Sequence, residues 1–211
     1  MRARLLLALV GMAASTHALP ASSAPLQCHV VTDPAGDAVR QIGPSPLSTQ
    51  NDPALDVLSA DVGIGATTLA FVVRVADLTD DPSPQSEGWM MWFEVQGQGF
   101  ATHATRTVDG VDFRVLGDFP EHQEPVPGAT TAELPVTGSL DTARNEIRVD
   151  VPRGLLPVLR PSKDELTNLT VDSLTGVGIS TVQVGAATTV DRTVQPGPRL
   201  ALNARTCIRA S

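Results

Sequence analysis

Aromatic residues are scarce in this chain of 211 residues, which has five Phe, two Trp and no Tyr. The one apolar stretch near the N-terminus is too short to cross a bilayer as a helix, and no second long apolar run exists, so we expect no membrane span. The sequence also contains no G-x-S-x-G, no H-E-x-x-H and no C-x-x-C. The nucleophile elbow of α/β-hydrolases and the common zinc motifs are therefore excluded.

Basic residues are fewer than acidic ones. The chain has 15 basic and 23 acidic residues, and Lys163 is its one lysine. Binding to nucleic acid or to an anionic membrane requires a basic surface, because the phosphates must be neutralised. The composition therefore predicts no nucleic-acid partner.

The N-terminus has the three parts of a secretory signal peptide. Arg2 and Arg4 precede the apolar stretch "LLLALVGMAA", and small residues then offer cleavage sites after Ala18 or Ala24. We predict that residues 1–24 are removed on export. The remaining residues, from 25 to 211, are enough for one well-packed core, so one domain is expected.

Two cysteines remain after export, Cys28 near the new N-terminus and Cys207 near the C-terminus. Secreted proteins are oxidised outside the cell, so the sequence predicts that these two residues form a disulfide. The bridge would close nearly the whole chain and would restrict the unfolded state strongly. A redox-active thiol is the alternative, but no second cysteine lies close in sequence.

Alternation of apolar residues with a period of two dominates the rest of the chain. In "TTLAFVVRVADL" Leu69, Phe71 and Val73 share one face, and "NEIRVDVP" at 145–152 alternates in the same way. Further strands are predicted at 54–62, 89–96, 100–107, 111–116, 131–137, 166–174 and 199–207. Many short strands joined by turn sequences such as "QGQG" and "VDGVD" predict an all-β fold, an antiparallel two-sheet β-sandwich with few or very short helices.

Four aspartates in a Pro- and Gly-rich stretch form a candidate metal site: Asp33, Asp37, Asp52 and Asp56. Calcium takes six to eight oxygen ligands, which carboxylates and loop carbonyls supply when tight turns bring them together. The spacing differs from that of an EF-hand loop. The alternative interpretation is that these residues form Asx turns, which Asp next to Pro and Gly commonly does.

A resemblance supports the calcium interpretation. The stretches that carry it are "TDPAGDA", "DPALDVLSADVG", "TTLAFVVRVADL", "MMWFEVQGQGF", "VDFRVLGD" and "LDTARNEIRVDVP". Together they resemble secreted actinobacterial β-sandwich proteins of the group that contains DOMON domains and family 9 carbohydrate-binding modules. The likeness extends over most of residues 28–207.

This resemblance implies a sandwich that binds a sugar, a haem or no known ligand, often with a structural calcium ion near the first strands. Asp33, Asp37 and Asp56 match the acidic positions of the group, and Asp52 is an added candidate. Haem-binding members use Met and His as axial ligands. The corresponding candidates in this chain are Met90, Met91 and His103.

Sugar binding usually requires an exposed aromatic side chain. Trp89 and Trp92 differ by three positions, so on one strand their side chains point to opposite faces. We expect Trp89 to lie in the core and Trp92, beside Glu94, to be available for a ligand. The alternative is that Trp92 only covers the second face of its sheet.

The sequence therefore predicts a secreted, non-enzymatic binding or cell-surface interaction module, with an extracellular polysaccharide or a cell-envelope component as its partner. Two alternatives stay open. One is an extracellular hydrolase with a dispersed carboxylate pair that includes Glu94, whose stereochemistry would depend on the separation of the two acids. The other is a purely structural envelope protein.

Overall fold

The structure is a computed structural model that describes residues 26–41, 49–79, 86–117, 132–156, 164–176, 188–193 and 197–211. The predicted signal peptide, residues 1–24, lies outside these ranges. In the described residues the strands are β1 (Leu26–Gln27), β2 (Val31–Thr32), β3 (Val39–Gln41), β4 (Thr49–Asn51), β5 (Val57–Ile64), β6 (Thr68–Val75), β7 (Ser86–Val95), β8 (Gln98–Thr107), β9 (Gly110–Gly117), β10 (Ala132–Pro135), β11 (Thr137–Asp141), β12 (Glu146–Pro152), β13 (Glu165–Gly176), β14 (Thr188–Arg192), β15 (Leu200–Ala201) and β16 (Arg205–Thr206). One 3₁₀ turn, Arg153–Leu155, follows β12.

Two antiparallel sheets form the body of the protein. The first has the strand order β11-β12-β6-β5-β2, and the second has the order β10-β9-β8-β7-β13-β14, with β15 also paired to β13. Two small sheets, β3-β4 and the parallel pair β1-β16, complete the fold. The predicted all-β, two-sheet sandwich is therefore confirmed.

The core lies between the five-stranded and the seven-stranded sheet. The Phe71 ring on β6 stacks on the Phe93 ring on β7, with centroids 4.6 Å apart, and Phe93 stacks in turn on Phe100 of β8. Leu69 and Val73 join the same buried cluster, as the alternation along β6 predicts. Burial of this apolar face supplies the main driving force for folding.

Two segments that were expected to be single strands each divide between sheets. The predicted strand 131–137 becomes β10, in the seven-stranded sheet, and β11, in the five-stranded sheet. The chain crosses between the sheets at Val136, whose backbone N–H donates to the Phe113 carbonyl. Strands that change sheets are how a sandwich makes its corners. The predicted strand 199–207 likewise divides into β15 and β16.

The disulfide between Cys28 and Cys207 is confirmed, and its two Cα atoms are 5.3 Å apart. It stands next to the parallel pairing of β1 with β16, so it fastens the C-terminal segment beside the start of the described chain. That segment then passes over β5. A Cβ atom at Gly63 would lie 2.9 Å from the Ala210 nitrogen, so only glycine lets the two backbones approach so closely.

Candidate cation site and ligand face

Three carboxylates converge at one end of the sandwich. Oxygens of Asp33, Asp37 and Asp191 all lie within 4.8 Å of one another. Asp33 directly follows β2, and its backbone N–H donates to the Leu58 carbonyl. Asp37 follows Gly36, whose φ of 90° suits a residue without a side chain. The cluster therefore joins the β2–β3 turn to strand β14 of the opposite sheet.

A β-bulge aims Asp191 at this cluster. Ser173 is paired with Asp191 and Leu174 with Thr189, so Val190 is an extra residue in β14. Bulges of this kind redirect side chains next to a sheet edge. Val190 lies in the core, and Asp191 reaches across to accept a hydrogen bond of 2.8 Å from the Val57 backbone N–H at the start of β5.

The electrostatics of the cluster favour a bound cation. Burial, together with the negative charges of Asp33 and Asp37, raises the pKa of Asp191 to about 6, against the lowering effect of the Val57 N–H. Like charges held together at a desolvated site disfavour ionisation. A divalent cation would remove that repulsion.

The four aspartates proposed from the sequence have different surroundings. Asp33 and Asp37 belong to the cluster. Asp56 lies beside it, because its Oδ2 accepts a 2.8 Å hydrogen bond from the backbone N–H of Gly36, the residue before Asp37. Asp52 is not one of the three: its Oδ1 accepts from the Ala54 N–H, which is the Asx turn of the alternative interpretation.

Three further oxygens near these residues are buried and have no hydrogen-bond partner in the described part of the chain. They are Oδ1 of Asp56, Oδ1 of Asn51 and Oγ of Ser173, the cross-strand neighbour of Asp191. Buried polar atoms are normally paired, so such atoms point to a polar group, a water or an ion beyond the residues that the structure describes. The candidate ligand atoms are all oxygens, which suits calcium rather than zinc.

Trp92 and Trp89 have the opposite orientations that their spacing predicts. Trp89 is buried in the core, where its indole N–H donates to the Ala54 carbonyl at 2.9 Å. Trp92 is 41% exposed on the outer face of the seven-stranded sheet. Its cross-strand neighbours are Ala101 and Thr170, two small residues that do not overlay a ring.

The indole of Trp92 is held by a charged pair on the next two strands of the sheet, β13 and β14. Its Nε1–H donates to Oδ2 of Asp172 on β13 at 3.1 Å. Arg192 on β14 donates to both oxygens of the same carboxylate, at 2.6 and 2.8 Å. Bidentate pairing of this type fixes geometry as well as charge. This group, Trp92 with Asp172 and Arg192, is called the ligand face below.

Glu94 lies two residues further along β7 and is half-buried. Its cross-strand neighbours are Gly99 on β8 and Thr167 on β13, so neither strand places a second carboxylate opposite it. A glycosidase needs two carboxyl groups on either side of the scissile bond. No carboxylate of β8 or β13 is thus paired directly with Glu94.

The haem candidates do not fit a haem. Met90 and His103 are cross-strand neighbours whose side chains lie on the same face, whereas two axial ligands must approach an iron from opposite sides. Met91 points into the core on the other face of β7. Burial lowers the pKa of His103 to about 4, and its Nε2 shares a 3.1 Å hydrogen bond with Thr105 Oγ1.

A cleft of about 440 Å³ lies on the outer face of the other sheet, between β11, β12 and the C-terminal segment. Two of the arginines that line it pair with acids, Arg144 with Glu146 at 3.2 Å and Arg148 with Asp150 at 2.8 Å, and Arg209 lines it as well. None of the described residues that line the cleft is aromatic, so it offers no ring on which a sugar could stack. The cleft is therefore a weaker candidate than the ligand face.

No protein-family model matches this chain, and neither a curated protein nor a solved structure matches it. The likeness to DOMON domains and family 9 carbohydrate-binding modules thus stays a prediction from the sequence. Among the residues that the structure describes, no helix is long and apolar enough to cross a membrane.

Proposed function

We propose that this protein is a secreted, non-enzymatic binding module that holds an extracellular polysaccharide or a cell-envelope glycan on its ligand face. The observation that carries the proposal is Trp92, a solvent-accessible indole whose edge is fixed by Asp172 while 41% of its surface stays exposed. A flat apolar ring with hydrogen-bonding groups at its rim suits a sugar, which presents both C–H and O–H groups.

We also propose a structural calcium ion for the cluster of Asp33, Asp37 and Asp191, with Asp56 beside it. When bound, the ion would supply positive charge between the carboxylates. The three side chains would then join the β2–β3 turn to β14, which stabilises one end of the sandwich. The raised pKa of Asp191 and the unpartnered Oδ1 of Asp56 support this assignment.

Export is part of the proposal. The tripartite N-terminal pattern of residues 1–24 and the disulfide between Cys28 and Cys207 both suit an oxidising compartment. Fractionation of cells that express the full chain tests it: the mature protein should appear in the medium or on the cell surface, with its N-terminus after Ala18 or Ala24. Retention of the whole chain inside the cell would contradict export.

Binding to insoluble cellulose, chitin and peptidoglycan tests the ligand face. The oxidised protein should sediment with at least one of these polymers, and Trp92→Ala should abolish sedimentation because it removes the exposed ring. Val108→Ala is the matched control, since Val108 is an exposed apolar residue in the β8–β9 turn. Binding that survives Trp92→Ala, or an absence of binding to all three polymers, would count against the proposal.

A further inference from the structure

The cation cluster and the ligand face share one strand. Asp191 and Arg192 are consecutive residues of β14, and their side chains point to opposite sides of the seven-stranded sheet. Asp191 faces the other acids and the Val57 N–H, whereas Arg192 pairs with Asp172 on the outer face. A single strand thus contributes one side chain to each site.

Strand β14 is also an edge strand. It ends the seven-stranded sheet and, among the described residues, pairs only with β13. The bulge at Val190 interrupts that pairing. Elements with few hydrogen-bonded neighbours open locally at a low free-energy cost. Repulsion between Asp191, Asp33 and Asp37 acts directly on this strand.

The contacts continue from β14 to the indole without a gap. Arg192 donates two hydrogen bonds to Asp172, and the same carboxylate accepts the Trp92 N–H at 3.1 Å. When β14 separates from β13, Asp172 loses its bidentate partner and the indole loses the fixed acceptor that orients it. The position of β14 therefore determines how firmly Trp92 is held.

We propose that cation binding at the Asp33–Asp37–Asp191 cluster and ligand binding at Trp92 are coupled through docking of β14, with Arg192 as the positioning residue that transmits it. The inference rests on the proposed function. Coupling of two sites through one element with two positions is reciprocal, so calcium should raise the affinity for the glycan about fivefold or more, and the glycan should raise the affinity for calcium by the same factor.

Calcium alone tests the coupling, without knowledge of the glycan. Acrylamide quenching and the emission maximum of the oxidised protein are measured in EDTA and then with calcium chloride, and thermal unfolding is followed on the same samples. The Trp92→Phe variant is measured in the same way, because its remaining emission comes from the buried Trp89. Calcium should raise the unfolding midpoint of the wild type, lower the quenching of Trp92 and shift its emission to the blue.

Arg192→Ala should keep the calcium-induced rise in midpoint and lose the change at Trp92, because the acids remain but the connection to Asp172 is removed. Arg148→Ala, which removes a comparable bidentate pair with Asp150 on the opposite sheet, should keep both responses. The side chain of Arg192 is 65% exposed, so its loss should not prevent folding.

Two outcomes separate this inference from the proposed function. A calcium-induced rise in midpoint with no change at Trp92, or a Trp92 response that persists in Arg192→Ala, would overturn the coupling and leave the cation site in place. An Arg192→Ala protein that no longer responds to calcium at all would also overturn it, because Arg192 would then act on the cation site itself. No calcium response in the wild type would overturn the cation site and the coupling together.

Discussion

His103 gives the fold a pH dependence that one substitution can isolate. Its pKa falls from 6.5 to about 4 in the folded protein, mainly because of burial; the charge of Asp112 opposes the shift and that of Arg114 adds to it. A histidine with a depressed pKa stays neutral in the folded state while the unfolded chain takes up a proton. The contribution of neutral His103 to the free energy of unfolding is therefore fully present above pH 6.5 and is lost as the pH falls toward 4.

Linkage gives the magnitude. Each pKa unit corresponds to about 1.4 kcal/mol, so the whole shift amounts to about 3 kcal/mol, of which about 2 kcal/mol is lost by pH 5. His103→Gln keeps the polarity of the side chain and removes the titration. The free energy of unfolding is measured with urea at pH 7.5 and at pH 5. We expect it to fall between these two pH values by about 2 kcal/mol less in the variant than in the wild type.

The comparison with the variant is necessary because other groups titrate in the same range. Asp191 in particular has the opposite sign, since its pKa is raised in the folded protein. If the wild type and His103→Gln lost stability in parallel between the two pH values, the burial of a neutral imidazole on the outer face of the sheet would be refuted.

Three further predictions follow from the same contacts. In metal-free protein, Asp191→Asn should be more stable than the wild type at pH 7.5, because the raised pKa of Asp191 makes its ionised form unfavourable in the fold. The variant should lose that advantage as the pH falls through 6, which urea unfolding at pH 7.5 and pH 5 checks. The double substitution Cys28→Ser/Cys207→Ser should lower the free energy of unfolding by up to about 5 kcal/mol and the unfolding midpoint by about 10–20 °C, because the bridge spans 179 residues; a change below about 1 kcal/mol would contradict the loop-entropy argument. Gly138→Ala should cost about 1–3 kcal/mol in denaturant unfolding, because its Cβ would lie 2.5 Å from the Arg148 carbonyl, whereas Gly99→Ala, with open space around it, should be neutral.

The long strands were the part of the structure that the sequence could predict, whereas β14, which carries Asp191 and Arg192, was not among the predicted strands. Alternation in 67–78 and 145–152 is a local signal, and β6 and β12 form where it occurs. Burial alternates along β12, whereas in β6 Ala70 and Val72 on the second face are buried as well. The position of Trp89 in the core and of Trp92 on the outer face follows from the same rule. No such local signal marks the crossing from one sheet to the other at Val136, because the crossing depends on how each half of the segment packs in the folded protein.

The cation cluster could be predicted only in part. Asp33 and Asp37 are close in sequence and share one turn, so their proximity has a local cause. Asp191 is distant in sequence and reaches the cluster through the pairing of β14 with β13 and the bulge at Val190. Asp52 has the same local chemistry as its neighbours, but its carboxylate is used for an Asx turn instead. Sequence alone does not distinguish these two uses of an aspartate.

Thermal unfolding of the oxidised protein in EDTA and then with calcium tests the central claim most directly. A ligand at about a hundred times its dissociation constant stabilises the folded state by about 2.7 kcal/mol, which corresponds to a rise of about 5–10 °C for a domain of this size. We expect that rise in the wild type and in Asp150→Asn, whose acid pairs with an arginine on the other sheet, and its loss in Asp191→Asn. A midpoint that calcium does not move, or a rise that persists in Asp191→Asn, would contradict the account.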